Sequence, residues 1–332
     1  MRHLSTILKI GIAVALITWM VKTGRLDPAN LASAFRRWDL LLATAALFYC
    51  QIIITGSRWH MLLRSQGIRL PFRDTMALNF IGTLFNTVIP GAVGGDVMKG
   101  YYLSRRAPGQ RSLAITTLLV DRVLGLMALL VMPLIAAAWN MDLVLRSKAL
   151  RAVMILAAAG LFAGVAGFFL ALMLGNRLLA MLDRLDRFRP AQVLRKVLWA
   201  IVQYRNHAAT IAAGLALGML NHLLGIYAFL LCARSISDAD LNLQQCLLVV
   251  PLGLVTTAIP ISPAGVGVGQ AAFFTLFALI PGLTGQLGSE ACTVYQFVMV
   301  AVFLTGFGAY VFYRDEAAAT TAVSATTTEP AA

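Results

Sequence analysis

Asp121 and Arg122 lie about ten residues inside an apolar run that begins near Ser112. At 1.5 Å per helical residue, a carboxylate and a guanidinium there would stand roughly 15 Å deep in a membrane. Charges at that depth are costly and face a partner or an aqueous path. Adjacent helix positions do not face one another, so each is expected to pair elsewhere, with Lys99 and Asp96 as candidates. An interhelix ion pair that only fixes packing is the alternative. Two Pro/Gly clusters add to the picture: Asn86-Thr-Val-Ile-Pro90-Gly-Ala-Val-Gly-Gly-Asp96, and Thr256-Thr-Ala-Ile-Pro260-Ile-Ser-Pro-Ala-Gly-Val-Gly-Val-Gly-Gln270. Proline removes an amide donor and glycine disfavours a helix interior, so both clusters should be unwound. Unwound backbone at membrane depth is tolerated where it is buried in protein or lines a wet cavity. Asp96 is an expected N-cap of one half-helix, and Ser262 with Pro263 an expected start of the other. Helix N-termini aimed into one cavity suit an anionic group such as a phosphate.

Other residue patterns exclude other chemistries. Gly94-Gly-Asp-Val-Met-Lys99 lacks the spacing of a phosphate-binding P-loop, and no nucleophile elbow or zinc-protease signature occurs. Cys50, Cys232, Cys246 and Cys292 lack metal or disulfide spacing and read as inert thiols; neither a metal nor a cofactor is expected. His222, beside Asn221, could carry a proton or make an interhelix hydrogen bond. His60 and Trp59 read as interfacial.

The elements that must position these residues follow from composition. The 332-residue chain is 59% apolar and 12% charged, with mean hydropathy +0.80. A soluble enzyme or binding module is excluded, because soluble domains carry about 25% charged residues. Six segments read as spans: 4–21, kept as an uncleaved first helix, 38–56, 112–139, 152–175, 208–233 and 289–313. The broken segments 75–103 and 246–280 read as re-entrant hairpins. With that assignment, connectors 58–74, 96–111 and 177–207 on one side carry four, four and seven Lys/Arg, whereas on the other side 22–37 carries four, 140–151 three, 234–245 one and 281–290 none. The positive-inside rule then puts both termini in the cytoplasm. Mixed residues in 178–207 suit helices lying on the anionic leaflet, and the low-complexity tail 315–332 reads as disordered. Leu70-Pro-Phe-Arg-Asp leads to Thr87-Val-Ile-Pro90 much as Leu241-Asn-Leu-Gln-Gln leads to Thr257-Ala-Ile-Pro260, about half a chain later. The expected fold is an all-α polytopic membrane protein, six spans plus two re-entrant hairpins, arranged as an inverted repeat with halves 1–145 and 150–314. The hairpin tips should meet near the bilayer centre.

Arg58-Trp-His-Met-Leu-Leu, Phe85-Asn86, Pro90-Gly91, Gly94-Gly95-Asp96, Tyr101 and Asp121-Arg122 together resemble the lysylphosphatidylglycerol synthase transmembrane family, also called flippase-like domain proteins. Pro260, Pro263 and Gly265-x-Gly267 resemble its second signature loop, which usually ends in Glu where this chain has Gln270. The resemblance implies a lipid flippase or scramblase without the soluble aminoacyl-transferring domain, in a bacterial inner membrane, not an enzyme. Its implied partners are membrane lipids with anionic head groups. A membrane-embedded transferase on a polyprenyl phosphate, or a non-transporting partner of a lipid-modifying enzyme, is the alternative. The expected substrate-binding residues are Asn86, Pro90, Gly91, Gly94, Gly95, Asp96, Lys99, Asp121 and Arg122 from the first half. Those from the second half are Pro260, Ser262, Pro263, Gly265, Gly267 and Gln270.

Overall fold

The computed structural model describes residues 17–88, 94–106, 111–183, 189–238, 241–258 and 265–312. In chain order the helices are α1 (17–22), α2 (Pro28–Ala34), α3 (Trp38–Ser65), α4 (Phe72–Val88), α5 (Gly94–Arg106), α6 (Arg111–Trp139) and α7 (Met141–Arg146). They continue with α8 (Lys148–Asp183), α9 (Arg189–Val202), α10 (Ala208–Ile236), α11 (Leu243–Ala258), α12 (Val268–Phe277) and α13 (Gly285–Leu304). Among the described residues, five helical segments are long and apolar enough to cross a membrane: Trp38–Ser65, Leu113–Trp139, Lys148–Gly175, Ala208–Ile236 and Gly285–Phe312. Most of the expected span 4–21, and the tail, lie outside the described residues.

Helix α10 is the organising element, packed on α3, α6, α11 and α13. Its Phe229 stacks on Phe273 of α12, ring centroids 4.5 Å apart, and leans on Tyr295 of α13. These aromatics hold the second broken segment to the bundle. Both broken segments fold back on themselves. In the first, Lys99 meets Asn79 and Arg106 meets Asp74, so α4 and α5 run antiparallel. In the second, Gly269 lies against Thr257 and Gly253 against Phe273, so α11 and α12 do the same. Each pair packs on α13 and α6 or their neighbours, and among the described residues no extensive packing joins one pair to the other. Pro90 and Pro260, expected at converging tips, are outside the described residues.

The end of α3 and the start of α5 differ from the sequence reading. Helix α3 does not end at residue 56 but continues to Ser65, turning Arg58 and Trp59 inward. Trp59 is therefore fully buried rather than interfacial, its indole N–H donating to Thr117 Oγ1 at 3.1 Å. One expected cap also moves: Asp96 is the third residue of α5. Helix α12 starts at Val268, and Ser262 and Pro263, expected to start a half-helix, lie outside the described residues. Helix α9 also packs on a neighbour: its Leu198 and Ile201 are buried with Phe168 and Ala171 of α8. An apolar stripe is satisfied as well by a neighbouring helix as by lipid, and the sequence pattern is the same for both.

The first hairpin closes at one glycine. A Cβ on Gly95 would sit 2.1 Å from the Gly82 carbonyl oxygen, so only hydrogen permits this approach of α5 to α4. Asn86 Oδ1 accepts from the Gly95 N–H at 2.8 Å, capping α5 from across the hairpin. Gly95→Ala must push the two helices apart, and overpacking of this kind costs about 1–3 kcal/mol. A lowered melting temperature in detergent is the expected result; an unchanged one contradicts the close contact.

Candidate functional site

A cavity of about 590 Å³ opens between the first hairpin and the bundle. Gln51, Thr55 and Arg58 come from α3, Asn79, Thr83 and Asn86 from α4, and Asp96 and Lys99 from α5. Asp121, Arg122 and Gly125 come from α6, Asn221 and His222 from α10, and Phe303 closes it from α13. Helical spacing explains much of this wall. Gln51, Thr55 and Arg58 recur every three or four residues along one face of α3, as do Asn79, Thr83 and Asn86 on α4. Apolar residues fill the turns between them and face the core or the membrane.

The charges are arranged in two pairs and one remainder. Arg58 Nε donates to Asp121 Oδ1 at 2.6 Å, with the Arg58 side chain 6% exposed. Gly125 and Gly218 leave room for this guanidinium, since Cβ atoms there would come within 3.4 and 3.1 Å of its terminal nitrogens. Arg122 Nε donates to Asp96, joining α6 to α5. Lys99 is the fifth charge. Its Nζ donates to Asn79 Oδ1 at 2.5 Å and lies 5.1 Å from the centroid of the Trp59 ring, and its stem packs over Gly82. Among the described residues Lys99 makes no ion pair. Among the described residues the cavity therefore holds three cations, Arg58, Lys99 and Arg122, against two carboxylates, Asp96 and Asp121, a surplus of one positive charge.

Neutral polar groups line the α3–α10 side. His222 Nε2 lies 3.0 Å from the Gly125 carbonyl oxygen, so the imidazole bridges α10 and α6. Gln51 Nε2 and Asn221 Oδ1 are buried without a hydrogen-bond partner. Both residues line the cavity, and buried amide groups left unpaired cost free energy unless a ligand or water meets them.

Of the residues expected from sequence, Asn86, Asp96, Lys99, Asp121 and Arg122 line this cavity, with Gly94 and Gly95 beside them at the start of α5. Asp96 and Arg122 pair as anticipated, but Asp121 takes Arg58 rather than Lys99. Pro90, Gly91, Pro260, Ser262 and Pro263 lie outside the described residues. Gly265, Gly267 and Gln270 are at the second hairpin and are not among the lining residues. Gly265 and Gly267 have φ of +73° and +84°, a left-handed backbone that only glycine adopts without strain. Buried Gln270 clamps that turn: its carbonyl accepts from the Gly267 N–H at 2.6 Å, and its amide donates to Gln296 Oε1 at 2.8 Å. An ionised Glu could accept from Gly267 but could not donate to Gln296. Here the position joins α12 to α13 as a neutral clamp.

Sequence reasoning missed Arg58, Asn79, Gln51 and the packing role of Trp59. The sequence reading places Arg58 in the connector 58–74, beyond the span 38–56. The signal that finds it is the i, i+4, i+7 series of polar residues Gln51, Thr55 and Arg58 on α3.

These features define a polytopic helical membrane protein whose helical hairpin encloses a charged cavity. The chain belongs to the lysylphosphatidylglycerol synthase TM region family, whose model matches residues 6–308. It is also similar to two archaeal proteins. One is the UPF0104 membrane protein PH1989 of Pyrococcus horikoshii, 27% identical over 131 residues, 38% of each chain. The other is the UPF0104 membrane protein MJ1595 of Methanocaldococcus jannaschii, 30% identical over 73 residues, 22% of each chain. The matched stretches thus span well under half of these relatives' lengths. The protein is a multi-pass membrane protein, and its family points to lipid biosynthesis or translocation.

Proposed function

We propose that the protein translocates an anionic lipid, flippase or scramblase fashion, with the lipid phosphate held at Lys99. The observation that carries this reading is the excess cation. A buried ammonium whose polar partner is neutral is expensive to keep, because an unpaired buried ion forfeits several kcal/mol of hydration. An incoming phosphodiester supplies one negative charge and matches the cavity's surplus of one. Gln51 and Asn221 offer a free donor and a free acceptor to the hydroxyl or amide groups of a head group. Arg58–Asp121 holds the helices around the site. The proposed orientation keeps both termini in the cytoplasm of a bacterial inner membrane. Two cations of the charge tally, Arg58 and Lys99, belong to the cavity and not to a connector, and discounting them leaves the imbalance in place. The two hairpins would belong to inverted halves of the chain.

The test is transport in liposomes containing the purified protein and chain-labelled fluorescent phosphatidylglycerol or phosphatidylcholine, with and without an ion gradient. Expected is faster transbilayer exchange of phosphatidylglycerol than of phosphatidylcholine. Rates equal to those of protein-free liposomes under every gradient overturn the reading.

A further inference from the structure

A second cavity, about 520 Å³, runs between α5 and α6. Val97, Gly100 and Tyr101 of α5 face Ile115, Leu118 and Leu119 of α6 across it, so its walls are almost wholly apolar. Val97 and Ile115 are 61% and 53% exposed, which opens it to the outer face of the bundle. Its inner end is Asp96 and Arg122, and the same two residues line the charged cavity. One ion pair therefore stands between a polar chamber with a surplus positive charge and an apolar groove reaching the lipid-facing surface. The shape is that of an amphiphile, head inward and chain outward.

We propose that Asp96–Arg122 is the gate of a lateral lipid portal. One hydrocarbon chain of an anionic lipid lies between α5 and α6 while its phosphate passes the parted pair to Lys99. Parting the pair does not strand Arg122, because a phosphate can replace the Asp96 carboxylate on the guanidinium with the same forked geometry. This proposal rests on the reading of Lys99 as the phosphate site.

A groove of similar size elsewhere on the bundle provides the control. Trp38, Tyr49, Phe297 and Ala301 of α3 and α13 line an apolar groove of about 570 Å³ that shares no lining residue with the charged cavity. Any lipid there is only part of the surrounding bilayer.

The test compares Gly100→Phe and Ile115→Trp with Ala301→Phe, each as purified full-length protein eluting as a single species in detergent. A Cβ on Gly100 meets only Leu118 Cδ1, at 3.6 Å, so a ring enters the groove without striking backbone. Ile115 is already half-exposed and keeps the test alive if Gly100→Phe fails to fold. Two readouts are taken: transport of long-chain fluorescent phosphatidylglycerol, and thermal stabilisation by its deacylated, water-soluble head group, glycerophosphoglycerol. Expected is a loss of transport of tenfold or more in both groove variants, with stabilisation by the head group retained and Ala301→Phe within twofold of wild type. Wild-type transport by folded Gly100→Phe and Ile115→Trp overturns the portal, and so does an equal loss in Ala301→Phe. A wild type that the head group does not stabilise, with normal transport by Lys99→Met but tenfold loss in the groove variants, overturns the Lys99 reading and leaves the portal.

Discussion

Lys99→Met is expected to slow transport of the anionic lipid at least about tenfold while leaving the protein no less stable than wild type. The two halves of this expectation come from different terms. A hydrogen bond to a charged partner is worth about 1.5–3 kcal/mol, and tenfold in rate or affinity needs only about 1.4. Methionine keeps the unbranched stem that covers Gly82, so packing there changes little. What is lost in the folded protein is the bond to Asn79 Oδ1, at about 1–3 kcal/mol, together with the ammonium's contact with the Trp59 ring. What is relieved is a buried cation without an ion-pair partner, at several kcal/mol. The second term is the larger. A lysine kept for structure predicts the reverse outcome, a lower melting temperature with normal transport. Both quantities are measured on one preparation, by thermal denaturation in detergent and by exchange in liposomes.

Arg58 should behave in the opposite way. Arg58→Met leaves the Asp121 carboxylate without its 2.6 Å partner in a nearly closed site, and removing one member of a buried pair costs about 3–5 kcal/mol. Low yield and a strongly lowered melting temperature are expected. Adding Asp121→Leu removes the stranded charge, and the double variant should regain most of the loss, because a buried pair is replaceable by well-packed apolar groups. Additive losses in the double variant contradict a direct pair. The contrast with Lys99 separates a charge that holds the helices from one that awaits a ligand.

The charged site was partly legible in the sequence, and the reason is specific. Asp96, Asp121 and Arg122 stand out because charged residues at membrane depth are costly and need a partner or an aqueous path. The Pro/Gly break forbids a straight helix and the charge tally favours a chain that turns back, and α4 and α5 do run antiparallel. Arg58 and Lys99 were harder. Each lies where an apolar run gives way to a basic stretch, and hydropathy cannot separate a cation that ends a helix from one that turns inward on its last turns. Only the pairing of α3 with α6 and α10, through Gly125 and Gly218, makes the inward space for Arg58. The contacts of the second hairpin were not legible for a related reason. Pro/Gly content marks unwound backbone, but burial of Gln270 against Gln296 depends on where α13 lies. The amphipathic stretch 189–202 fits either a leaflet or a helix, and α8 claims it.

The central claim is that a lipid phosphate reaches Lys99. Solid-state NMR on protein with ¹⁵N-labelled lysine side chains, in phosphatidylglycerol bilayers, measures it as a dipolar contact between lysine Nζ and lipid phosphorus. The other lysines, Lys9, Lys22, Lys148 and Lys196, contribute a background that the Lys99→Met variant isolates. A charge-assisted N–H···O bond of about 2.8 Å puts nitrogen and phosphorus within roughly 4 Å. The account predicts such a contact in wild type that disappears in Lys99→Met. A wild-type spectrum with no phosphorus contact beyond that of the variant would contradict it.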